Sequence, residues 1–101
     1  LSGAWQLRRY QVKEGALDAF VELWREEVVP ARGAYGFRVE AAWTGDDGRE
    51  FGWIVSHPDA SQFDAAEQAY YASPERAAIS TDPASLLDEV ATWLVHPVKH
   101  P

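Results

Sequence analysis

Apolar residues recur along this chain with two different periods, and each switch of period marks an element boundary. From Trp5 to Val12 the apolar positions Trp5, Leu7, Tyr10 and Val12 are mixed with polar ones, which predicts a strand. After Gly15 the spacing becomes three and four. Leu17, Phe20, Trp24, Val28, Ala31 and Tyr35 form one apolar stripe, with Glu22, Arg25, Glu26 and Arg32 assigned to the other faces of an amphipathic helix. Pro30 lies inside that stripe and removes the hydrogen bond to the Glu26 carbonyl, so a kink or break is expected there, with Gly36 as the stop signal.

Period two then returns. Phe37, Val39, Ala41 and Trp43 alternate with Arg38, Glu40, Ala42 and Thr44, Asp46-Asp47-Gly48 supplies a turn, and Phe51 to Ser56 is the returning strand of an antiparallel hairpin. Asp59 is placed to cap the next helix, with Gln62 three residues on completing a capping box. Phe63, Ala66, Glu67 and Tyr70 share the inner face of that helix, and Tyr71 flanks them. Ser73-Pro74 and Asp82-Pro83 each set a capping side chain before a proline, predicting two short helical turns. Val90 to Val95 is the last strand, ended by Pro97.

The order β-α-β-β-α-β predicts an α+β, ferredoxin-like fold: a four-stranded antiparallel sheet in spatial order 4-1-3-2 with both helices on one face. One helix layer covers one face, yet the strands are apolar on both. Phe51, Trp53 and Val55 oppose Gly52 and Ile54, while Val90 and Leu94 oppose Trp93 and Val95. A second copy packing sheet against sheet supplies the missing cover, so a homodimer is expected; a patch with Trp53 or Trp93 would otherwise be larger than a monomer normally exposes. The alternative is a monomer whose aromatics are shielded by the irregular segment from Ser73 to Leu87.

Composition narrows the function. With 101 residues there is room for one domain, spanning 1–101. The net charge is −7 and the nine basic residues form no stripe, which argues against nucleic acid as a partner. No stretch approaches the roughly 20 apolar residues of a membrane helix, and no secretory pattern is visible, so no membrane partner and a cytoplasmic location are expected. Absence of cysteine removes thiolate nucleophiles, iron–sulfur clusters and zinc–sulfur sites.

Several segments resemble the NIPSNAP family: Leu7-Arg8-x-Tyr10, Val12-Lys13-x-Gly15, Phe20-x-x-x-Trp24, Tyr35-Gly36-Phe37, the Trp43 strand, Asp47-Gly48, Phe51-x-Trp53, and Phe63 leading to Tyr70-Tyr71-Ala72-Ser73-Pro74-Glu75. The Tyr-Tyr-x-Ser-Pro-Glu run is the most specific, and the likeness spans roughly residues 5–98. One departure is Arg76, at a position often aromatic in the family. The resemblance implies a dimeric α+β barrel. It implies little chemistry: eukaryotic members are discussed as scaffold or vesicle-associated proteins, and fold relatives include small monooxygenases, isomerases and haem-handling enzymes. That step is analogy at the level of the fold.

Among residues able to carry chemistry, Arg8 leads, because a charge in a central strand is rarely left unpaired. It shares a face with Tyr10 and Gln6, and two roles are open: an anion or carbonyl contact inside a cavity, or a structural ion pair with a helix carboxylate such as Glu67. Tyr70 and Tyr71 point about 100° apart, so one belongs to the core and the other to a pocket mouth or a subunit interface. His57 is a candidate general base at the pocket rim, or a solvent-facing residue at a strand-to-helix turn. Ser73 reads as a helix cap, and no His/Asp arrangement makes it a nucleophile. No metal ligands converge, neither helix offers a histidine to haem, and no cofactor is expected. Of the five tryptophans, Trp53 is the first choice for a cavity wall.

Two functions follow as expectations. One is a homodimer binding a small hydrophobic or aromatic molecule, with Arg8, Tyr70 and His57 as candidate catalytic residues, Tyr10, Trp53 and Tyr71 as ligand contacts, and cofactor-independent monooxygenase or isomerase chemistry. The other is a non-catalytic protein-interaction module. An enclosed cavity of mixed polarity favours the first and a filled interior the second.

Overall fold

The arginine-bearing first strand takes the middle of the sheet. In the computed structural model, which describes residues 3–101, β1 (Ala4–Val12) pairs on one side with β3 (Glu50–His57) and on the other with β4 (Leu87–Val95), and β2 (Arg38–Thr44) completes the sheet beyond β3. The order is β2-β3-β1-β4 with every pair antiparallel, as the connectivity predicted. The β2–β3 turn is closed by Gly45 N–H donating to Glu50 O at 2.9 Å, and by the Asp47 carboxylate accepting the Arg49 and Glu50 amides. Gly48 sits at φ +74°, the left-handed conformation for which the sequence reserved a glycine.

The first crossover does not break at Pro30. It runs on as α1 (Leu17–Leu23), a π-helical turn (Trp24–Val28) and α2 (Val29–Gly33). The Val29 N–H reaches back to Trp24 O, an i→i+5 bond that widens the turn just before the proline. The absent Pro30 N–H and its crowded ring are accommodated by one loosened turn instead of a break. Tyr35, expected to finish the stripe, lies past the helix end, where the amides of Tyr35 and Phe37 fold back onto Arg32 O.

The second crossover begins with a 3₁₀ turn (Ala60–Gln62) leading into α3 (Phe63–Tyr71). Asp59 caps it by accepting from Ser61 N at 3.0 Å. The expected capping box is not completed by Gln62; the Asp59 amide donates instead to His57 Nδ1 at 3.1 Å. The two proline-led turns are present as α4 (Pro74–Ala77), capped by Ser73, and a 3₁₀ turn (Pro83–Leu86), capped by Asp82.

Helices and sheet enclose an aromatic core. Phe51, Trp53 and Val55 of β3 project towards the helices and are sealed from solvent, with Trp24 meeting Trp53 at 5.4 Å and Phe51 at 5.1 Å between ring centroids. Trp53, at 1% exposure, is therefore covered by its own subunit, and of the two tryptophans expected on an open face only Trp93, at 49%, remains there. On the opposite side of the sheet Leu7 pairs with Ile54 and Trp93, and no helix covers them. Strand β4 starts at Leu87, three residues before the apolar pattern begins: Leu87 pairs with Val12 and Glu89 with Gln11, Asp88 falls at the register shift between them, and a sheet edge tolerates their charge.

A bulge between Val39 and Ala41 changes the reading of β2. Val39 pairs with Val55 on the helix side, whereas Ala41 and Trp43 pair with Ile54 and Gly52 on the other, so the four alternating residues do not share one face. Trp43 lies flat over Gly52, where an added Cβ would fall 2.2 Å from its ring. Gly52→Ala is expected to cost about 1–2 kcal/mol by displacing that ring. In a Trp43→Ala background the same change is expected to be near neutral, a difference that a urea-denaturation double-mutant cycle reads directly.

Candidate functional site

Four hydrogen bonds fix the Arg8 guanidinium on the helix side of β1. Its Nε donates to Tyr10 Oη at 2.6 Å, Nη1 to Gln6 Oε1 at 2.9 Å and to Glu67 Oε1 at 3.2 Å, and Nη2 to Tyr71 Oη at 3.2 Å. Tyr10 and Gln6 reach it because residues two apart on a strand share a face; Glu67 and Tyr71 come down from α3, four apart on one side of that helix. Burial works against the charge on Arg8, but Tyr10, Tyr71 and Glu67 around it outweigh that, and its pKa is raised.

A second arginine completes the cluster. Arg32, from α2, is 3% exposed, donates through Nη2 to Tyr71 Oη at 3.0 Å and lies 3.7 Å from the Glu67 carboxylate. Its guanidinium carbon stands 4.6 Å from the Tyr70 ring centre and between 5.2 and 5.5 Å from those of Phe37, Trp53 and Tyr71. Four ring faces thus stabilise the buried cation. Its Nη1 has no hydrogen-bond partner, and neither does the buried Trp24 Nε1.

Beside these groups lies a cavity of ≈ 210 Å³ between sheet and helices. Tyr10, Trp53 and Arg8 line it from the sheet, Phe20, Trp24, Val28 and Arg32 from the first crossover, and Tyr70 and Tyr71 from α3. Arg76, Pro83 and Ala84 close it from the segment before β4, where Leu87 and Val90 complete the wall. That closing segment is fastened by Arg76 to Asp82 at 2.8 Å, by the Ser80 amide and hydroxyl to Glu27 at 2.8 and 2.6 Å, and by the Lys13 amide to Leu86 O at 2.8 Å.

The polar groups in the wall are mostly donors. Tyr10 Oη accepts from both Arg8 and Trp53 Nε1, and Tyr71 Oη from both arginines, so each phenol retains only its own hydrogen to give. Burial raises the pKa of Tyr70 and keeps that phenol protonated at neutral pH.

Five of the six residues singled out from the sequence, Arg8, Tyr10, Trp53, Tyr70 and Tyr71, meet at this cavity. His57 does not line it: four residues along β3 from Trp53, it packs edge-on against Phe37 at 5.3 Å and accepts the Asp59 amide. The sequence reading missed Arg32 by assigning it to a polar face. The available signal was its spacing of four from Val28 and eight from Trp24, which puts it on the flank of the apolar stripe. No cluster of three or more His, Asp or Glu side chains suited to a metal ion occurs among the described residues, and none of their helices is long and apolar enough to cross a membrane.

Comparison with known proteins agrees with this architecture. The family model described as NIPSNAP matches residues 5–100. The chain belongs to the NIPSNAP family. No curated protein matches it in sequence. Among solved structures, a NIPSNAP domain protein from Burkholderia xenovorans is similar at 20% identity and TM-score 0.79, covering 94% of each chain. A NIPSNAP family protein of unknown function from Agrobacterium tumefaciens gives TM-score 0.83 at 14% identity, covering 98% of this chain and 91% of that one. A candidate antibiotic biosynthesis monooxygenase from Bacteroides thetaiotaomicron gives 0.73 at 14%, covering 97% and 91%. At such identities the likeness establishes the fold, that of dimeric α+β barrel proteins.

The segment from Tyr70 to Glu75 has a visible structural logic. Tyr70 and Tyr71 stand in the cavity wall, Ser73 caps α4, Pro74 opens it, and Glu75 accepts a 2.6 Å hydrogen bond from Tyr35, tying the Tyr35-Gly36-Phe37 segment to the second crossover.

Proposed function

We propose that this NIPSNAP chain acts as a homodimer binding one small, flat apolar or aromatic molecule per subunit in the cavity beside Arg8 and Tyr10. The observation that carries this reading is unfilled space of ≈ 210 Å³ walled by six aromatic rings and bordered by a fixed polar network. Interiors are normally packed without such voids, and pockets that serve ligands combine apolar walls with a few convergent polar groups. The open face of the sheet around Leu7 and Trp93 supports the dimer, as does membership of a family with this barrel fold.

Arg8 serves as a positioning residue in this reading, because four of its five N–H groups already hold neighbouring side chains. Tyr10, Tyr71 and Tyr70 offer O–H groups to a ligand oxygen. Polarisation of such an oxygen in an apolar, water-poor site is the element shared by cofactor-independent monooxygenation and isomerisation, and likeness to a candidate monooxygenase makes that the first chemistry to assay. Tyr70 is the proton donor of choice; His57 stands apart from the cavity. The inward packing of Arg76, Pro83 and Ala84 favours a ligand-binding role over a protein-docking one.

Toluene is expected to bind saturably and raise the melting temperature; at a hundred times its dissociation constant a ligand adds about 2.7 kcal/mol. Val28→Trp, which fills the space, is expected to abolish that effect. Unchanged melting at saturating toluene would overturn the reading.

A further inference from the structure

We infer that the ligand of this cavity is an anion, a carboxylate or comparable oxyanion carried on a single apolar ring, and that Arg32 and Trp24 hold its charged group. The inference rests on the proposed small-molecule site and adds the chemical class of its occupant.

The donor balance carries it. Arg32 is 3% exposed, its Nη1 has no partner, and the same is true of Trp24 Nε1; both residues line the cavity. A buried donor left unpaired costs about 1–3 kcal/mol, more when it belongs to a charged group, so two on residues that line one cavity are costly unless a ligand supplies an acceptor. Arg8 has less to give, since Tyr10, Gln6, Glu67 and Tyr71 take four of its five N–H groups and every one of its nitrogens already has a partner.

Charge agrees with the donor balance. The chain carries 16 acidic and nine basic residues, yet no Asp or Glu lines the cavity whereas three arginines do. Arg76 is offset by Asp82, but Arg8 and Arg32 share the single carboxylate of Glu67. One buried positive charge is left over, which a monovalent anion neutralises.

Size limits the rest of the molecule. A cavity of about 150 Å³ accepts benzene, so ≈ 210 Å³ holds one ring with a small charged substituent and no fused ring system.

Benzoate and toluene present the same ring with and without the charge, and titrating each into the full chain by NMR tests the assignment. Benzoate is expected to bind about tenfold or more tightly than toluene, the scale of a hydrogen bond to a charged group. Arg32→Gln is expected to remove that advantage and leave toluene affinity nearly unchanged. Trp24→Phe, which keeps the ring and deletes the donor, is expected to weaken benzoate about threefold to tenfold with toluene unaffected, and it decides the matter if Arg32→Gln does not fold. Toluene binding as tightly as benzoate would overturn the anion assignment and leave the apolar site standing. Benzoate affinity insensitive to both substitutions would overturn it too. Failure of both probes to bind would remove the site itself.

Discussion

Replacing Arg8 by leucine is expected to lower stability by about 3 kcal/mol, the lower end of the range for removing one member of a buried ion pair. The lower end applies because Glu67 keeps Arg32 3.7 Å away and is partly exposed, so its carboxylate is not abandoned. Tyr10 likewise keeps the Trp53 donor, and Tyr71 keeps Arg32. What disappears is the guanidinium that holds β1 to α3 through Glu67 and Tyr71. In a domain of this size the melting temperature should fall by roughly 12–20 °C, with the urea midpoint moving at constant slope. Arg8→Lys should recover less than half of the loss, because an ammonium on a flexible stem does not reproduce the planar set of contacts to Tyr10, Gln6 and Tyr71. A loss under about 1 kcal/mol, the scale of an exposed pair, would contradict this account and return Arg8 to the role of a ligand contact.

The sheet order, the hairpin and both proline-led turns were legible in the sequence because each rests on a local rule. The connectivity fixes the strand order, Asp47-Gly48 fixes a turn, and Ser73 and Asp82 before proline fix caps. Departures occur where one residue more or fewer is accommodated without a compositional mark. The π-helical turn before Pro30 and the bulge after Val39 each shift the phase of a periodic pattern midway through an element. A fixed period carried across such a point assigns Trp43 and Val39 to the same side of the sheet, which the bulge separates.

The candidate site was half legible for a related reason. Arg8 drew attention because a charge in a central strand demands partners, and Tyr10, Trp53, Tyr70 and Tyr71 by their type and position. Arg32 gave only the weaker signal of its spacing from Trp24 and Val28: an arginine in a helix is ordinarily solvated, and its burial depends on Phe37, Trp53, Tyr70 and Tyr71 arriving from three other segments. Spare hydrogen-bonding capacity is likewise invisible in a sequence, since it emerges only after every partner has been placed. That is why Arg8 and Arg32 exchange roles once the structure is known.

Leu7→Glu is expected to abolish the proposed homodimer. Leu7 stands at mid-strand on the uncovered side of β1, between Ile54 on β3 and Trp93 on β4, with Trp5 two residues before it. If a second copy lies against this surface, a glutamate there is buried twice in the symmetric interface, and the nearest basic residue on the same face of β1, Arg9, is already paired with Glu50 at 2.7 Å. Stranding an unpaired charge costs several kcal/mol, so dimer affinity should fall by about a hundredfold or more. Light scattering at low micromolar concentration should then report the 11.3 kDa subunit in place of twice that mass. On a monomer the same substitution adds a charge to an open surface and should be neutral within about 0.5 kcal/mol, so unchanged mass and unchanged melting together would refute the dimer. Because Leu7 points away from Arg8, Tyr10 and the cavity, toluene binding per subunit should survive in the variant, and that separates loss of assembly from loss of fold.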